Sequence, residues 1–314
     1  MPVKIITVTT NTAIDYFVEI EQLSLGGNLL ANHNSQFASG KGVNVAKTIA
    51  TLNTEVQALG FVGQRSVGLF SDGAMGLIQS DFIAVPGQTR TNLTLCERLA
   101  AQETHIRTVG FSVTEADCQQ LLEKIDAKLE AQDILILSGS LPPGAPVDLY
   151  QQLITLAHQK SAMAILDSSG EGFRQGLQAG PHLVKPNQAE LAEVAGRPLE
   201  TEQALIHAAY ELIKWGSQIV VVSRGPQGLL MVTENNVVLK AYVNHLPQPV
   251  VSSVGCGDAL VGGLAVGKLR QYTLLDSIKL GLGCATANLF SAEPGCFEQA
   301  HLVEIDEHLV IRSL

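Results

Sequence analysis

Residues 252–263 read SSVGCGDALVGG: Gly255 and Gly257 flank Cys256, and Asp258 opens an apolar run. Two glycines in such a turn let successive backbone N–H groups point into one hollow. The helix that follows adds partial positive charge at its amino end. That arrangement suits an anion whose charge is spread over several oxygens, such as a phosphoryl group in transfer. Asp258 beside it is positioned to take the proton of an attacking hydroxyl. The same residues also fit a plain glycine turn with Asp258 as the helix cap, because aspartate is a preferred cap. On residue types alone both readings stay open.

Residues 38–46, ASGKGVNVA, form a second candidate. Gly40 and Gly42 allow close backbone approach, Lys41 offers a point charge, and Asn44 offers an amide at a helix start. Together they could hold a sugar or sugar phosphate; the alternative is a capped turn with a solvated lysine. No G-x-x-x-x-G-K-[ST] loop occurs. In the stretch KPNQAE, Pro186 ends a strand after Lys185, and Asn187 and Glu190 then share a helix face. An amide and a carboxylate so spaced could orient the waters of Mg²⁺, which keeps much of its water shell. The same spacing is also that of a capping box. Gly225 to Gly228 make a tight turn between two strands, with Ser223 and Arg224 just before it. Asp15, Arg90 and the pair His105 and Arg107 fall in strand-like stretches. His105 and Arg107, two apart, face one side of a strand. Ser138, Ser140 and Asp167 stand at strand ends. The other seven histidines show no metal-ligand spacing.

These residues need a frame to position them. Short β-branched runs at residues 4–9, 133–138, 163–167, 183–185 and 219–223 alternate with helical periodicity at 43–52, 115–129, 149–159, 188–195 and 202–215. Such alternation predicts an α/β fold with a mostly parallel sheet covered on both faces. Its ligand crevice is expected outside the carboxyl ends of the strands. Residues 14–38 and 88–110 break the rhythm with strand-like segments at 16–19, 91–97 and 104–109, and are read as a small β lid. Residues 236–243 suggest a further hairpin or an edge strand.

Composition narrows the function classes. With 46% hydrophobic residues in 314, a sizeable core is expected and disorder is excluded. A net charge of −10 argues against nucleic acid as a partner. Five cysteines without a C-x-x-C pair suggest neither a disulfide framework nor a zinc site. Asp15 and Glu19 near the start, and the lack of about 18 consecutive apolar residues, predict no signal peptide and no membrane span. A cytoplasmic location is expected.

The segments NTAID, SGKGVNVAKTIATL, QTRTNL, GFSVTEAD, SGSLPPG, LDSSGE, LVKPNQAEL, VVVSRGPQG and SVGCGDALVGG, in this order over nearly the whole chain, resemble the ribokinase-like (PfkB) carbohydrate kinases. Within their phosphosugar branch the resemblance is to 1-phosphofructokinases and then to tagatose-6-phosphate kinases. It implies one ribokinase-like domain over residues 1–314, a three-layer α/β core with the β lid, and a homodimer formed through that lid. It implies ATP and Mg²⁺, and a small phosphorylated ketose as acceptor: fructose 1-phosphate, with tagatose 6-phosphate and fructose 6-phosphate as alternatives. Outside that class, a sensor without catalysis is the alternative. By position, Asp258 matches the catalytic base and Gly255, Cys256 and Gly257 the anion hole. Asp15, Gly40, Lys41, Asn44, Arg90 and Ser140 match the sugar-phosphate site. Lys185, Asn187, Ser223, Gly225 and Gly228 match the nucleotide site, while Asn187 and Glu190 match the Mg²⁺ motif acting through water. Cys256 departs from the small residue usual in that turn. Arg224 departs from the small or apolar residues common in its turn, which leaves a contact with nucleotide phosphates open. Asn28 and His105 stand where some phosphofructokinases carry basic residues.

Overall fold

A computed structural model describes residues 3–71, 76–100 and 102–314; residue 101, inside the 88–110 segment, lies outside them. Ten strands form one sheet in the spatial order Leu309–Ser313, Val238–Val243, Leu229–Thr233, Ile219–Ser223, Leu183–Val184, Met163–Asp167, Ile134–Ser138, Ile5–Thr9, Val56–Gly63 and Ile78–Val85. From Ile219–Ser223 to Ile78–Val85 every neighbouring pair is parallel. The three pairings beyond Ile219–Ser223 are antiparallel. Ladders of this kind must be covered on both faces, which is why central strands such as IITVT and ILILS are buried at every position.

Alternation along those strands sorts side chains onto two cores. Ile6, Val8, Leu135, Leu137, Leu166, Val220 and Val222 join one apolar cluster, and Ile5, Ile134, Ile136, Ile165 and Val221 join the other. Helices Glu115–Lys128, Leu149–Gln159 and Glu202–Lys214 cover the first. Helices Lys41–Thr51, Cys256–Leu269 and Leu274–Asn288 cover the second. Helix Cys256–Leu269 is buried from Asp258 to Gly267 because it is wedged between the sheet and two other helices, which accounts for its apolar character all round.

A separate four-stranded sheet, in the order His33–Ser39, Ala13–Ile20, Arg90–Glu97 and Gln102–Arg107, follows directly on core elements. Its last strand ends two residues before the 104–109 segment does, because pairing runs from Asn92 with Arg107 to Glu97 with Gln102.

The helices expected at 115–129, 149–159, 188–195 and 202–215 are present to within a residue, and the one at 43–52 begins two residues early, at Lys41. Val238–Val243 forms the expected hairpin, pairing antiparallel with Leu229–Thr233, and is not an edge strand. The carboxyl-terminal strand Leu309–Ser313 pairs outside it, and that segment is short enough to escape a periodicity test. Val56–Gly63 and Ile78–Val85, also missed, carry glycine and polar residues that mask their β pattern.

Candidate active site

Two adjoining cavities open at the carboxyl ends of the parallel strands. The larger, about 660 Å³, lies between the core and the small sheet; the second, about 570 Å³, lies beside the turn Gly225–Gln227. They share Ser223, Ser253 and Gly257. A depression of about 610 Å³ at the opposite end of the strands shares no residue with either.

The anion turn is set by Gly255. Its φ of 84° is left-handed, and a Cβ there would sit 2.7 Å from the Pro294 side chain, so only glycine fits. Gly255 is the N-cap of helix Cys256–Leu269, and Asp258 stands in that helix's first turn. Asp258 is therefore not the cap. Its Oδ2 instead accepts a hydrogen bond from Asn44 Nδ2 at 2.8 Å, 214 residues away in sequence. Burial pushes the Asp258 carboxyl up to about 7; Lys41 opposes the rise, Asp167 adds to it, and Asn44 and Lys185 oppose it. A carboxylate poised there is matched to accepting a proton near neutral pH.

Lys41 is not a solvated lysine. Its ammonium lies 3.1 Å from Asp167 Oδ1 and 3.8 Å from Glu190 Oε1. Burial pulls its pKa down, but Asp167, Asp258 and Glu190 outweigh that and leave it above the usual lysine value. Lys185, almost fully buried, approaches the same Asp167 oxygen at 3.3 Å. Its Nζ would lie 3.2 Å from a Cβ on Gly257, so it borders the anion turn.

The small sheet supplies the other wall. Asp15 Oδ2 accepts from Ser39 Oγ at 2.6 Å and its Oδ1 from Asn92 Nδ2 at 2.8 Å, which fixes the carboxylate. Arg90 donates to the backbone oxygens of Asn11 and Thr12 at 3.1 and 3.4 Å. Burial, and then the neighbouring Arg107, hold its pKa below the ordinary arginine value. That like-charge pair is the arrangement an anion relieves. His105 and Arg107 both face the larger cavity, as their spacing requires, and His105 Nδ1 lies 3.2 Å from Thr94 Oγ1. Ser140 Oγ accepts from Asn11 Nδ2 at 3.2 Å at the cavity edge.

Asn187 and Glu190 form a complete capping box: Asn187 Oδ1 accepts from the Glu190 N–H and Glu190 Oε2 from the Asn187 N–H, each at 2.8 Å. Both residues also line the larger cavity, where Glu190 Oε1 stands 3.8 Å from the Lys41 ammonium. One hard oxygen and one amide fit a Mg²⁺ held through its waters.

Of the residues singled out in the sequence, Asp15, Gly40, Lys41, Asn44, Arg90, Ser140, Lys185, Asn187, Glu190, Gly255 and Asp258 line the larger cavity. Gly225, Gly228 and Cys256 line the second, and Ser223 and Gly257 line both. Leu229, Leu246, Leu260 and Leu282 make the second cavity mainly apolar, as a planar base requires. Arg224 lines neither. It is turned onto Glu202 at 3.0 Å, which Lys240 also holds at 2.6 Å, so it is a strut between elements. Ser138 is fully buried beneath the cavities. Asn92, Arg107 and Ser253 also line the larger cavity but were given no role from sequence; Asn92 stands in QTRTNL, Ser253 opens SVGCGDALVGG, and Arg107 was marked by its spacing from His105.

With that geometry in place, residues 8–298 match the pfkB family carbohydrate kinases, and the chain belongs to that family. It is 31% identical over 300 residues to the 1-phosphofructokinase of Bacillus subtilis, covering 94% of this chain and 95% of that protein. It is 37% identical to the 1-phosphofructokinase of Xanthomonas campestris pv. campestris, covering 88% and 87%. The crystal structure of phosphofructokinase-2 from Escherichia coli in complex with substrates and products superposes with a TM-score of 0.87 at 29% identity, over 97% of this chain and 99% of that one. The fold is ribokinase-like, and the chain is an ATP-dependent phosphotransferase acting on an alcohol group of a phosphorylated sugar.

Proposed function

We propose that the acceptor is fructose 1-phosphate and the product fructose 1,6-bisphosphate. The observation that carries a phosphorylated acceptor is the pair Arg90 and Arg107 on the small-sheet wall of the larger cavity, across from the core wall where Lys41, Lys185 and the Gly255–Gly257 turn stand. A neutral sugar would leave the like charges of Arg90 and Arg107 facing each other across that wall. Asp15, held by Ser39 and Asn92, orients sugar hydroxyls. The acceptor hydroxyl attacks the γ-phosphorus as the bond to the ADP oxygen breaks, and Asp258 takes the hydroxyl proton. The amides of the Gly255–Gly257 turn and Lys185 receive charge on the transferring group. Mg²⁺ held through water by Asn187 and Glu190 would neutralise phosphate charge. The nucleotide's base fits the apolar second cavity, with Gly225 and Gly228 beside it.

We further infer a homodimer joined through the small sheet, which acts as a lid. Leu25 and Leu30, 92% and 91% exposed, lie between its first two strands, and Ile106 and Val109 are exposed at its far edge. Apolar groups grouped on one small layer suit burial against a second copy. A cytoplasmic enzyme is consistent with the absence, among the described residues, of a helix long and apolar enough to cross a membrane.

ADP release with Mg²⁺-ATP, measured across fructose 1-phosphate, fructose 6-phosphate, tagatose 6-phosphate and fructose, tests the acceptor. The highest kcat/KM is expected on fructose 1-phosphate. A preference for a 6-phosphate would overturn that choice while keeping the base and the anion turn, and silence on all four with nucleotide still bound would point to a sensor.

A further inference from the structure

Asp167 lies at the bottom of the site and lines neither cavity. It is completely buried, yet one of its oxygens, Oδ1, takes both the Lys41 ammonium at 3.1 Å and the Lys185 ammonium at 3.3 Å. Lys41 comes from the helix that faces the sugar side and Lys185 from the strand end beside the anion turn. Two ammoniums sharing one oxygen would repel strongly without the carboxylate between them.

The other oxygen, Oδ2, makes no hydrogen bond with any described residue. Thr9 pairs with Ser138 and Ser138 with Asp167 across three adjacent parallel strands. Residues in register on parallel neighbours stand on the same face of the sheet. Here that is the face of Ile5, Ile134, Ile136 and Ile165, covered by the helices that carry Lys41 and Asp258. Thr9 Oγ1 and Ser138 Oγ are likewise buried and without a partner among the described residues. Three orphaned oxygens in one cross-strand row, at strand spacings of about 4.8 Å, are too polar a group to stay dry and are spaced for bridging water.

We propose that Asp167 is the positioning residue of the site: through Oδ1 it fixes the sugar-side lysine and the nucleotide-side lysine relative to each other, and through Oδ2 it is anchored by buried water to Thr9 and Ser138. This rests on the kinase reading of the same site. Its consequence is that one buried carboxylate couples the two substrate positions. It also adds to the negative field at Asp258, so removing its charge lets Asp258 ionise at lower pH.

The test is Asp167→Asn, with thermal unfolding as the control for folding. Expected are KM values raised on the order of tenfold for both Mg²⁺-ATP and the phosphosugar, and an acid limb of kcat/KM displaced to lower pH. A structural role alone would lower the active fraction and leave both KM values and the pH midpoint unchanged, which would overturn the proposal. If Asp167→Asn fails to fold, Lys41→Met and Lys185→Met serve instead. Positioning through a shared oxygen predicts that the double variant loses less than the product of the single losses, and strict multiplicativity would sink it. Calorimetric binding of Mg²⁺-ATP and a carboxyl NMR titration of Asp258 read the coupling without turnover. Failure of the wild-type protein to phosphorylate any sugar phosphate would refute the kinase reading and leave these two measurements to decide the role of Asp167. A high-resolution crystal structure should show a water touching Asp167 Oδ2 and at least one of the two hydroxyls. A dry row would refute the anchor.

Discussion

The carboxyl edge of the large sheet and the inward face of the small sheet both line the larger cavity, but they are built differently. On the core side Asp258 is buried and Lys41, Lys185 and Asp167 are linked by ion pairs, all on rigid helices and strand ends. On the small-sheet side Arg90 is half-buried, His105 is exposed, and the strand Gln102–Arg107 is an open edge. Groups held in a dry, fixed frame can stabilise charge that develops only in the transition state. Groups on a thin, exposed layer bind what is already charged in the ground state. The difference predicts a division of labour: substitutions at Asp258 and in the Gly255–Gly257 turn should act on kcat, and small-sheet substitutions on the phosphosugar KM.

The largest effect is expected at Asp258. Asp258→Asn should lower kcat by at least ~10²-fold, the usual weight of general base catalysis, while nucleotide and phosphosugar still bind; turnover near the parent level would remove Asp258 from the chemistry. In the parent, kcat/KM should rise with pH through about 7 as Asp258 ionises. Folding raises this carboxyl from 3.8 to about 7, so its contribution to stability is fully present below pH 3.8 and is lost as the pH climbs through 7. Asp258→Asn escapes that loss and should be more stable than the parent at pH 8, by on the order of 1 kcal/mol or more. Melting curves at pH 5 and pH 8 check the sign.

Next comes Gly255→Ala. With φ at 84° and Pro294 at 2.7 Å from the new Cβ, the turn must shift and the amides lose their aim. A fall in kcat on the order of 10²-fold is expected, with the phosphosugar KM little changed. Should the phosphosugar KM rise instead, the turn would be binding ground-state charge and the division would fail.

Arg90→Ala and Arg107→Ala should each raise the phosphosugar KM about tenfold, the weight of one charged hydrogen bond, with nucleotide affinity intact. Equal loss of both affinities would show that the small sheet reaches the nucleotide.

The smallest effect is expected at Cys256. Burial pushes its thiol up to about 11, and Asn288 Nδ2 lies 3.4 Å from its sulfur. Since only its backbone N–H faces the anion, Cys256→Ser should stay within about threefold of the parent. The thiol should also react slowly with iodoacetamide at pH 7; rapid alkylation would mean that the turn opens.

How far the site could be read from the chain varies residue by residue. Gly255 announces itself because a left-handed turn admits few other residues, whereas Asp258 fitted a helix cap as well as a base until the structure placed it in the first turn with Gly255 as the cap. Asn187 and Glu190 form the capping box that their spacing allowed, and both also line the larger cavity. Arg224 stood in a nucleotide-contacting motif yet is drawn away by Glu202, a partner 22 residues off that no local pattern reveals. Arg107 was seen only as a spacing. Asp167 was seen only as a strand end, because its weight comes from two lysines distant in sequence. Strands Val56–Gly63 and Ile78–Val85 were lost because glycine and polar residues mask their pattern, and Leu309–Ser313 because it is too short for a periodicity test.

The sequence alone determined the local geometry: where β-branched runs extend, where Pro186 stops a strand, and where Gly255 must turn left-handed. These follow from backbone sterics and side-chain period, which act over a few residues. Only the tertiary structure decided the chemistry of the groups so positioned. Burial and the 2.8 Å bond from Asn44 set the proton affinity of Asp258, and Asp167 decided where Lys41 and Lys185 rest. Desolvation and Coulomb interactions depend on distance in space, and the residues that supply them here are brought together only when the sheet and its helices close.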